Sequence, residues 1–122
     1  MARYGITAQP LPNTYTPAVP LAAASADLLF TAVDDPISRS TPLVTSKTVV
    51  LAQNTDTGAH TITFTGVMDA MNRSGDITNY SVAAGHIACF GPFQAAGFAQ
   101  PGALLYIDID DPRLRLAVLQ LP

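Results

Sequence analysis

Short runs of alternating apolar and polar residues, separated by turn residues, fill the chain from residue 27 onward and most constrain its fold. In the clearest run, His60–Val67, Ile62 and Phe64 share one face and the intervening threonines share the other. This period of two is that of a half-buried β-strand, because successive side chains point to opposite faces. No run of ten or more residues combines helical periodicity with caps. The pattern therefore predicts an all-β domain, an antiparallel β-sandwich or jelly roll, rather than an α/β fold.

The predicted strands end at residues that typically form turns. The run Lys47–Asn54 is apolar on both faces, which predicts a central strand. The glycine-containing turn Thr55–Ala59 then joins it to His60–Val67, and we expect the three parts to form a β-hairpin. The remaining predicted strands are Leu28–Val33, Thr78–Ala83, His86–Phe90, Leu104–Ile109 and Arg113–Leu121.

Residues 1–26 form a separate, proline-rich segment without apolar periodicity. Proline and the residue before it favour extended backbone, so we expect an extended N-terminal arm preceding a domain of residues 27–122. At about 3.1 Å per residue the arm reaches up to ~80 Å, further than a domain of this size is wide. A disordered tail is the alternative. The predicted partner-binding anchors in the arm are Tyr4, Ile6, Leu11, Tyr15, Val19 and Leu21.

Composition narrows the classes of function. Apolar residues make up 48% and charged residues 12% of the chain, which argues against disorder. The low charge indicates either a surface that is partly covered by partners or simply a Thr- and Ala-rich β-domain. Six scattered Lys and Arg and a net charge of −3 do not form a nucleic-acid footprint. No apolar stretch is long enough to span a membrane. Cys89 is the only cysteine, so neither an intrachain disulfide nor a thiolate zinc site is expected.

Residues for catalysis are few. The two histidines, His60 and His86, open predicted strands, where isolated histidines are usually solvated. Neither a Gly-x-Ser-x-Gly elbow nor a phosphate-binding loop is present. The acidic group at Asp108, Asp110 and Asp111 precedes Pro112, and we expect it to cap a turn rather than to bind calcium. We therefore predict no enzymatic activity, no cofactor and no metal.

Two segments are candidates for partner contact. The polar loop of residues 69–76 presents Arg73, either to a partner or simply to solvent. The stretch Phe90–Phe98 places three phenylalanines among glycine and proline. It forms either a lid over the end of the core or an exposed patch that includes Phe93 and Phe98.

A series of strand and turn motifs also carries a resemblance to a known family. The motifs are Lys47–Asn54, Arg73–Asp76, Val82–Gly85, Gly91–Phe93 and Leu104–Asp108, followed by an apolar terminal strand. In this order, over roughly residues 27–122, they resemble the small β-sandwich head decoration, or capsid cement, proteins of tailed bacteriophages. The resemblance implies trimers or other small oligomers on the outer surface of the phage head. It also implies extended termini that lie across the lattice of the major capsid protein.

The expected function is therefore that of a non-enzymatic structural virion protein, which binds and stabilises the head lattice through its arm and one face of its sandwich. The first alternative is a ligand- or receptor-binding module of a phage tail or fibre. The second is a small hydrolase or isomerase, which would need a converging polar pocket.

Overall fold

The computed structural model describes residues 3–10, 28–68 and 75–121. Within these ranges the chain is nearly all β, with one four-residue helix. The strands are β1 (Tyr4–Gly5), β2 (Gln9–Pro10), β3 (Ser38–Pro42), β4 (Thr48–Asn54), β5 (His60–Thr65), β6 (Ile77–Val82), β7 (Ile87–Phe90), β8 (Leu104–Ile109) and β9 (Leu114–Gln120), with α1 (Ala95–Phe98) between β7 and β8.

The strands form two mixed sheets. The first sheet has the order β1-β3-β8-β5-β6 and the second has the order β2-β9-β4-β7. The pairings β1–β3 and β2–β9 are parallel, and the other strand pairs are antiparallel. The expected all-β class is thus confirmed, but the sheets are not purely antiparallel. The two parallel pairings both come from the N-terminal segment, which the strand pattern did not include.

Alternate side chains of the strands in both sheets lie in one core. In β5, Ile62 and Phe64 are fully buried, and in β9 the buried core residues are again spaced by two, as expected for strands with one face inward. Side chains from both sheets thus meet in one apolar core. The buried core comprises Ile6, Leu43, Val50, Ala52, Ile62, Phe64, Val82, Phe90, Phe93, Leu105, Ile107, Ile109, Leu114, Leu116 and Val118.

The predicted hairpin between β4 and β5 is wrong. β4 pairs with β7 and β9 in the second sheet, whereas β5 pairs with β6 and β8 in the first. The turn Thr55–Ala59 connects the two sheets, and the buried side chain of Asn54 fixes its position. Its Nδ2 donates to the carbonyl oxygens of Gly58 and Val82, both at 2.9 Å. The prediction that β4 is a central strand is confirmed, since it has neighbours on both sides.

The predicted strand Leu28–Val33 is not a strand. The segment is attached to β9 at Thr31, whose N–H donates to the Leu116 carbonyl at 2.8 Å and whose hydroxyl accepts from the Leu116 N–H at 3.0 Å. Because a side chain replaces one backbone partner, no regular ladder forms. The next segment of the chain, β3, does form a strand, and it pairs with β8 in the first sheet. Its polar sequence Ser-Arg-Ser-Thr-Pro gave no apolar alternation to detect.

Residues 3–10 of the predicted arm belong to the domain itself. Ile6 is only 8% exposed and lies in the core. Its N–H donates to the Ser40 carbonyl at 2.7 Å, and its carbonyl accepts from the Thr41 hydroxyl at 2.9 Å. Residues 11–26 lie outside the described ranges, and for them the extended arm stays a prediction.

The later strands agree with the sequence to within one or two residues. β8 has the predicted bounds Leu104–Ile109, and β6, β7 and β9 start or end within one residue of them. The predicted turn at Ala84–Gly85 is present, with Gly85 at a φ of 74°. Strong alternation and nearby glycine or proline therefore located these strands correctly.

Candidate functional site

The predicted partner-binding residues fall in two separate parts of the fold. Tyr4, in β1, is 43% exposed, while Ile6 is buried. Phe93 is 3% exposed and Phe98 is half-buried, both beside the core. The structure thus leaves only Tyr4 of these four with a large free surface. The other predicted residues, Leu11, Tyr15, Val19, Leu21 and Arg73, lie outside the described residues.

The segment Phe90–Phe98 closes one end of the domain, which we call the aromatic end and define by Phe64, Phe90, Phe93 and Phe98. Ring centroids lie 4.9 Å apart for Phe64–Phe90 and for Phe64–Phe93, and 5.0 Å apart for Phe93–Phe98. Aromatic pairs at this spacing add to the burial of their apolar surface. This arrangement is the lid alternative rather than the exposed patch.

Backbone contacts hold the lid against the start of β4. The Phe93 N–H donates to the Thr48 carbonyl at 3.2 Å, and the Ser46 N–H donates to the Phe93 carbonyl at 2.9 Å. Gly91 has a φ of 110°, and a Cβ at that position would lie 2.8 Å from the Thr48 carbonyl oxygen. Only glycine fits such a close approach without displacing the backbone.

The opposite end of the domain carries a network of ion pairs, which we call the charged end and define by Asp56, His60, Asp110, Asp111 and Arg113. His60 Nε2 lies 2.7 Å from Asp56 Oδ2, and His60 Nδ1 lies 3.1 Å from Asp110 Oδ1. Arg113 contacts Asp111 at 2.9 Å and Asp56 at 3.2 Å. These contacts join the turn after β4 to the turn after β8.

The pairing shifts the protonation equilibria of the charged end. The hydrogen bond to Asp56 raises the pKa of His60 above its ordinary value, and Asp110 adds to this. The pKa of Asp56 is lowered, mainly by the hydrogen bond to His60. Hydrogen bonds from Arg113 hold the pKa of Asp111 well below its usual range, and the same contacts raise the pKa of Arg113.

The chemistry of this network is structural. Both ring nitrogens of His60 face carboxylates, which leaves neither of them directed at a nucleophile. Asp111 accepts from the Arg113 N–H at 2.8 Å, as predicted for a turn-capping aspartate. In the part of the chain that the structure describes, no group of three His, Cys or Asp side chains is placed to hold a metal ion.

Two arginines have roles that the sequence did not reveal. Arg3 forms an ion pair with Asp108, Nη1 to Oδ1 2.7 Å, and its guanidinium lies 4.1 Å from the centroid of the Tyr106 ring. Asp108 and Tyr106 alternate outward on β8, and this acid–aromatic pair was the available signal for a cation. Arg39 is fully buried and donates to the Pro36 carbonyl at 2.6 Å and to the Thr31 hydroxyl. Burial lowers the pKa of Arg39.

The outer faces of the two sheets differ in polarity. In the first sheet, Thr63 lies opposite Asp108 and Thr65 opposite Tyr106 on the side away from the core. The corresponding positions in the second sheet are mostly apolar. There Ile87 is 58% exposed and Cys89 is exposed, while Val49 and Ala117 are buried. We call this set the apolar outer face; it comprises Val49, Leu51, Ile87, Cys89, Ala117 and Leu119.

The side of the domain next to β7 also carries an open cavity. This cavity, of about 170 Å³, lies between β6 and β7, the last strands of the two sheets. Its lining includes Tyr80, Ser81 and His86 as well as Cys89. It is smaller than a typical small-molecule site, which encloses roughly 300–1,000 Å³. The candidate functional site is therefore the β7 side of the apolar outer face rather than the cavity itself.

Comparison with known proteins returned no match to a family model, to a curated protein or to a solved structure. The single helix of the described ranges is too short to cross a membrane.

Proposed function

We propose that the chain is a non-enzymatic structural virion protein, a decoration or cement protein that binds and stabilises the head lattice of a tailed bacteriophage. Its partners are the major capsid protein and further copies of itself, on the outer surface of the head. The observation that carries the proposal is the contrast between the two outer faces, one polar and one apolar. The resemblance in the strand and turn motifs supplies the particular partner.

The path of the chain supports a jelly-roll-like sandwich. From β2 to β9 the chain passes from one sheet to the other at every connection except β5–β6, which is a hairpin within the first sheet. Two interleaved Greek keys trace this alternating path in a jelly roll. Such domains are frequent in viral capsids, so the topology agrees with the proposed class.

Surface chemistry supports binding to a protein lattice. Only 12% of the residues are charged, and the exposed Ile87 and Cys89 continue into the half-buried Leu51 on the same face. Contiguous exposed apolar surface marks a site of association. A lattice repeats each contact many times, so that weak single contacts are multiplied by avidity.

The arm acts in this proposal as a closed loop rather than as a free end. The Gln9 side chain donates to the Leu29 carbonyl at 2.8 Å and accepts from the Leu29 N–H at 2.9 Å. The chain between these residues must leave and return at one place, which limits its reach to about 30 Å at ~3.1 Å per residue. We propose that residues 11–26 contact an adjacent capsid subunit through Leu11, Tyr15, Val19 and Leu21.

The ligand-binding alternative has little exposed aromatic surface in the described residues. Phe93 is buried, Phe98 is half-buried and Tyr106 is covered by Arg3. The exposed rings of the described residues are therefore mainly Tyr80, at 51%, and Tyr4, at 43%, and only Tyr80 lines the cavity. Sugar-binding sites use exposed aromatic rings flanked by polar groups, and a single tyrosine beside a small cavity fits that requirement poorly.

The test replaces residues 12–26 with a Gly/Ser linker of equal length and leaves residues 3–10 in place. Because Ile6 and Arg3 remain, we expect the domain to keep its thermal unfolding midpoint. The affinity of the linker variant for purified phage heads that lack decoration protein should fall at least tenfold, as measured by co-sedimentation. A variant with Thr63→Ser on the polar outer face is the control and should bind as the parent does. Unchanged binding by the linker variant would refute the role of the arm.

A further inference from the structure

Three of the four sheet edges are protected against pairing with another strand. β1 and β2 are two residues long, β2 contains Pro10, and Arg3 lies beside β1. β6 carries a register irregularity opposite Ile62–Phe64, and Asn79 within it has a φ of 50°. Short strands, proline, charge and bulges are the usual means of blocking edges.

The fourth edge, β7, is four residues long, but it contains no proline, no charged residue and no bulge. It is regular, and it pairs only with β4. The Asn54 N–H donates to the His86 carbonyl at 3.0 Å, so the residues that bond to β4 alternate from His86 to Ala88 and Phe90. The backbone N–H and C=O groups of Ile87 and Cys89 consequently point away from the sheet. No strand of the described chain pairs with them.

The strands β6 and β7, which border this edge, carry no charged residue. No Asp, Glu, Lys or Arg lies between Asp76 and Asp108 in the sequence, a stretch that includes β6, β7 and the turn between them. The side chains of Ile87 and Cys89 lie on the apolar outer face. An acidic or basic segment would gain nothing electrostatically from this edge. A second copy of the same edge would meet no repulsion and would match its polarity.

We propose that β7 pairs antiparallel with β7 of a second copy about a two-fold axis. The outward backbone groups of Ile87 and Cys89 then bond to those of the partner copy. The two second sheets become one continuous sheet in the order β2-β9-β4-β7-β7-β4-β9-β2. The inference does not require the proposed capsid role, and it specifies a two-fold dimer, whereas the family resemblance implies trimers or other small oligomers.

The first experiment measures mass in solution by light scattering over a range of concentrations. We expect the full chain to be a dimer and Ile87→Lys to be a monomer, since a lysine on an edge strand opposes pairing. The matched control is Leu29→Lys, because Leu29 is a more exposed apolar residue, at 73%, outside the sheets. Circular dichroism verifies that both variants fold. A monomeric parent, a trimer, or a dimer that persists in Ile87→Lys overturns the proposal.

The second experiment uses Cys89 as a probe, because it is the only cysteine. In the proposed register Ile87 of one copy lies opposite Cys89 of the other, so the variant Ile87→Cys places two thiols directly across the pairing, within the separation that a disulfide requires. Mild oxidation should convert most of this variant into a covalent dimer. The double variant Cys89→Ser with Met68→Cys moves the thiol to another exposed position, where Met68 is 68% exposed. That variant should form little covalent dimer after oxidation, as judged by denaturing electrophoresis. Equal cross-linking of both proteins would count against pairing through β7.

Discussion

The two ends of the domain are stabilised by different kinds of interaction, although the same strands run between them. β5 begins at His60 in the charged end and contains Phe64 in the aromatic end. Phe64 is fully buried between two other rings, whereas Arg113 is half-exposed and its ion pairs are in contact with water. Burial of apolar surface contributes several kcal/mol per large side chain, and exposed ion pairs contribute far less. We infer that the aromatic end carries stability and that the charged end tunes it with pH.

The largest expected effect is at the aromatic end. Phe64→Ala removes a ring that packs on both Phe90 and Phe93 at 4.9 Å and leaves a cavity. We expect the free energy of unfolding in urea to fall by about 3–5 kcal/mol. Phe98→Ala is the matched comparison, because Phe98 is half-buried and packs on Phe93. Phe98→Ala should lower the free energy of unfolding clearly less than Phe64→Ala does. Equal losses in the two variants would mean that Phe64 is not the centre of this cluster.

A smaller loss of stability is expected when a glycine at the aromatic end, rather than one at the charged end, is replaced by alanine. Gly91→Ala places a Cβ against the Thr48 carbonyl at a φ of 110°, which should cost about 1–3 kcal/mol. Gly58→Ala, in the turn at the charged end, has nothing within 4 Å of the added Cβ and should be neutral or slightly stabilising. Thermal unfolding of both variants measures the difference. A destabilised Gly58→Ala variant would show that this turn is more constrained than its open surroundings indicate.

The smallest effect is a pH dependence confined to the charged end. Because the folded pKa of His60 is raised, its contribution to stability is complete below the ordinary value of 6.5 and is lost as pH rises through the folded pKa. The pKa of Asp56 is lowered, so its contribution is present above 3.8 and is lost as pH falls. The pair should therefore stabilise the fold most between these two values. His60→Gln should flatten the decrease in unfolding midpoint above pH 6.5.

Asp56→Asn provides the control for that measurement. It removes the closest partner of His60 and leaves the imidazole in place. The variant should lose most of the decrease above pH 6.5, as well as the decrease at acid pH that Asp56 itself causes. A parent-like profile in both variants would assign the pH dependence to groups outside the charged end.

Much of the fold was predictable because alternation is a local signal. The strands β4 to β9 follow from apolar residues spaced by two and from turns at glycine and proline. β3 escaped this reasoning because its buried residues are polar. Arg39 is tolerated inside through hydrogen bonds to the preceding segment at Pro36 and Thr31, and Thr41 through a bond to the distant Ile6 carbonyl. The β4–β5 hairpin was wrong because the turn sequence does not specify which sheet the next strand joins.

The site was less predictable than the fold. Sequence reasoning identified Phe93 as an unusual residue but left open whether it faced solvent, since a phenylalanine among glycines suits both a lid and a patch. It treated Ile6 as an anchor on a neighbouring subunit. In the structure, hydrogen bonds between the Ile6 backbone and both Ser40 and Thr41 place this residue in the core of its own domain. The apolar outer face had no sequence signal of its own. Its members come from three strands, and only their register brings them together.

The sequence by itself determined the β class, most of the strands and the absence of charge between Asp76 and Asp108. These properties depend on neighbours along the chain, and the pattern of side chains records them directly. Tertiary structure alone decided which sheet each strand joined, that residues 3–10 complete both sheets, and that β7 ends one of them without protection. Those outcomes depend on contacts between residues far apart in sequence, where burial and hydrogen bonding of the whole domain outweigh local preference.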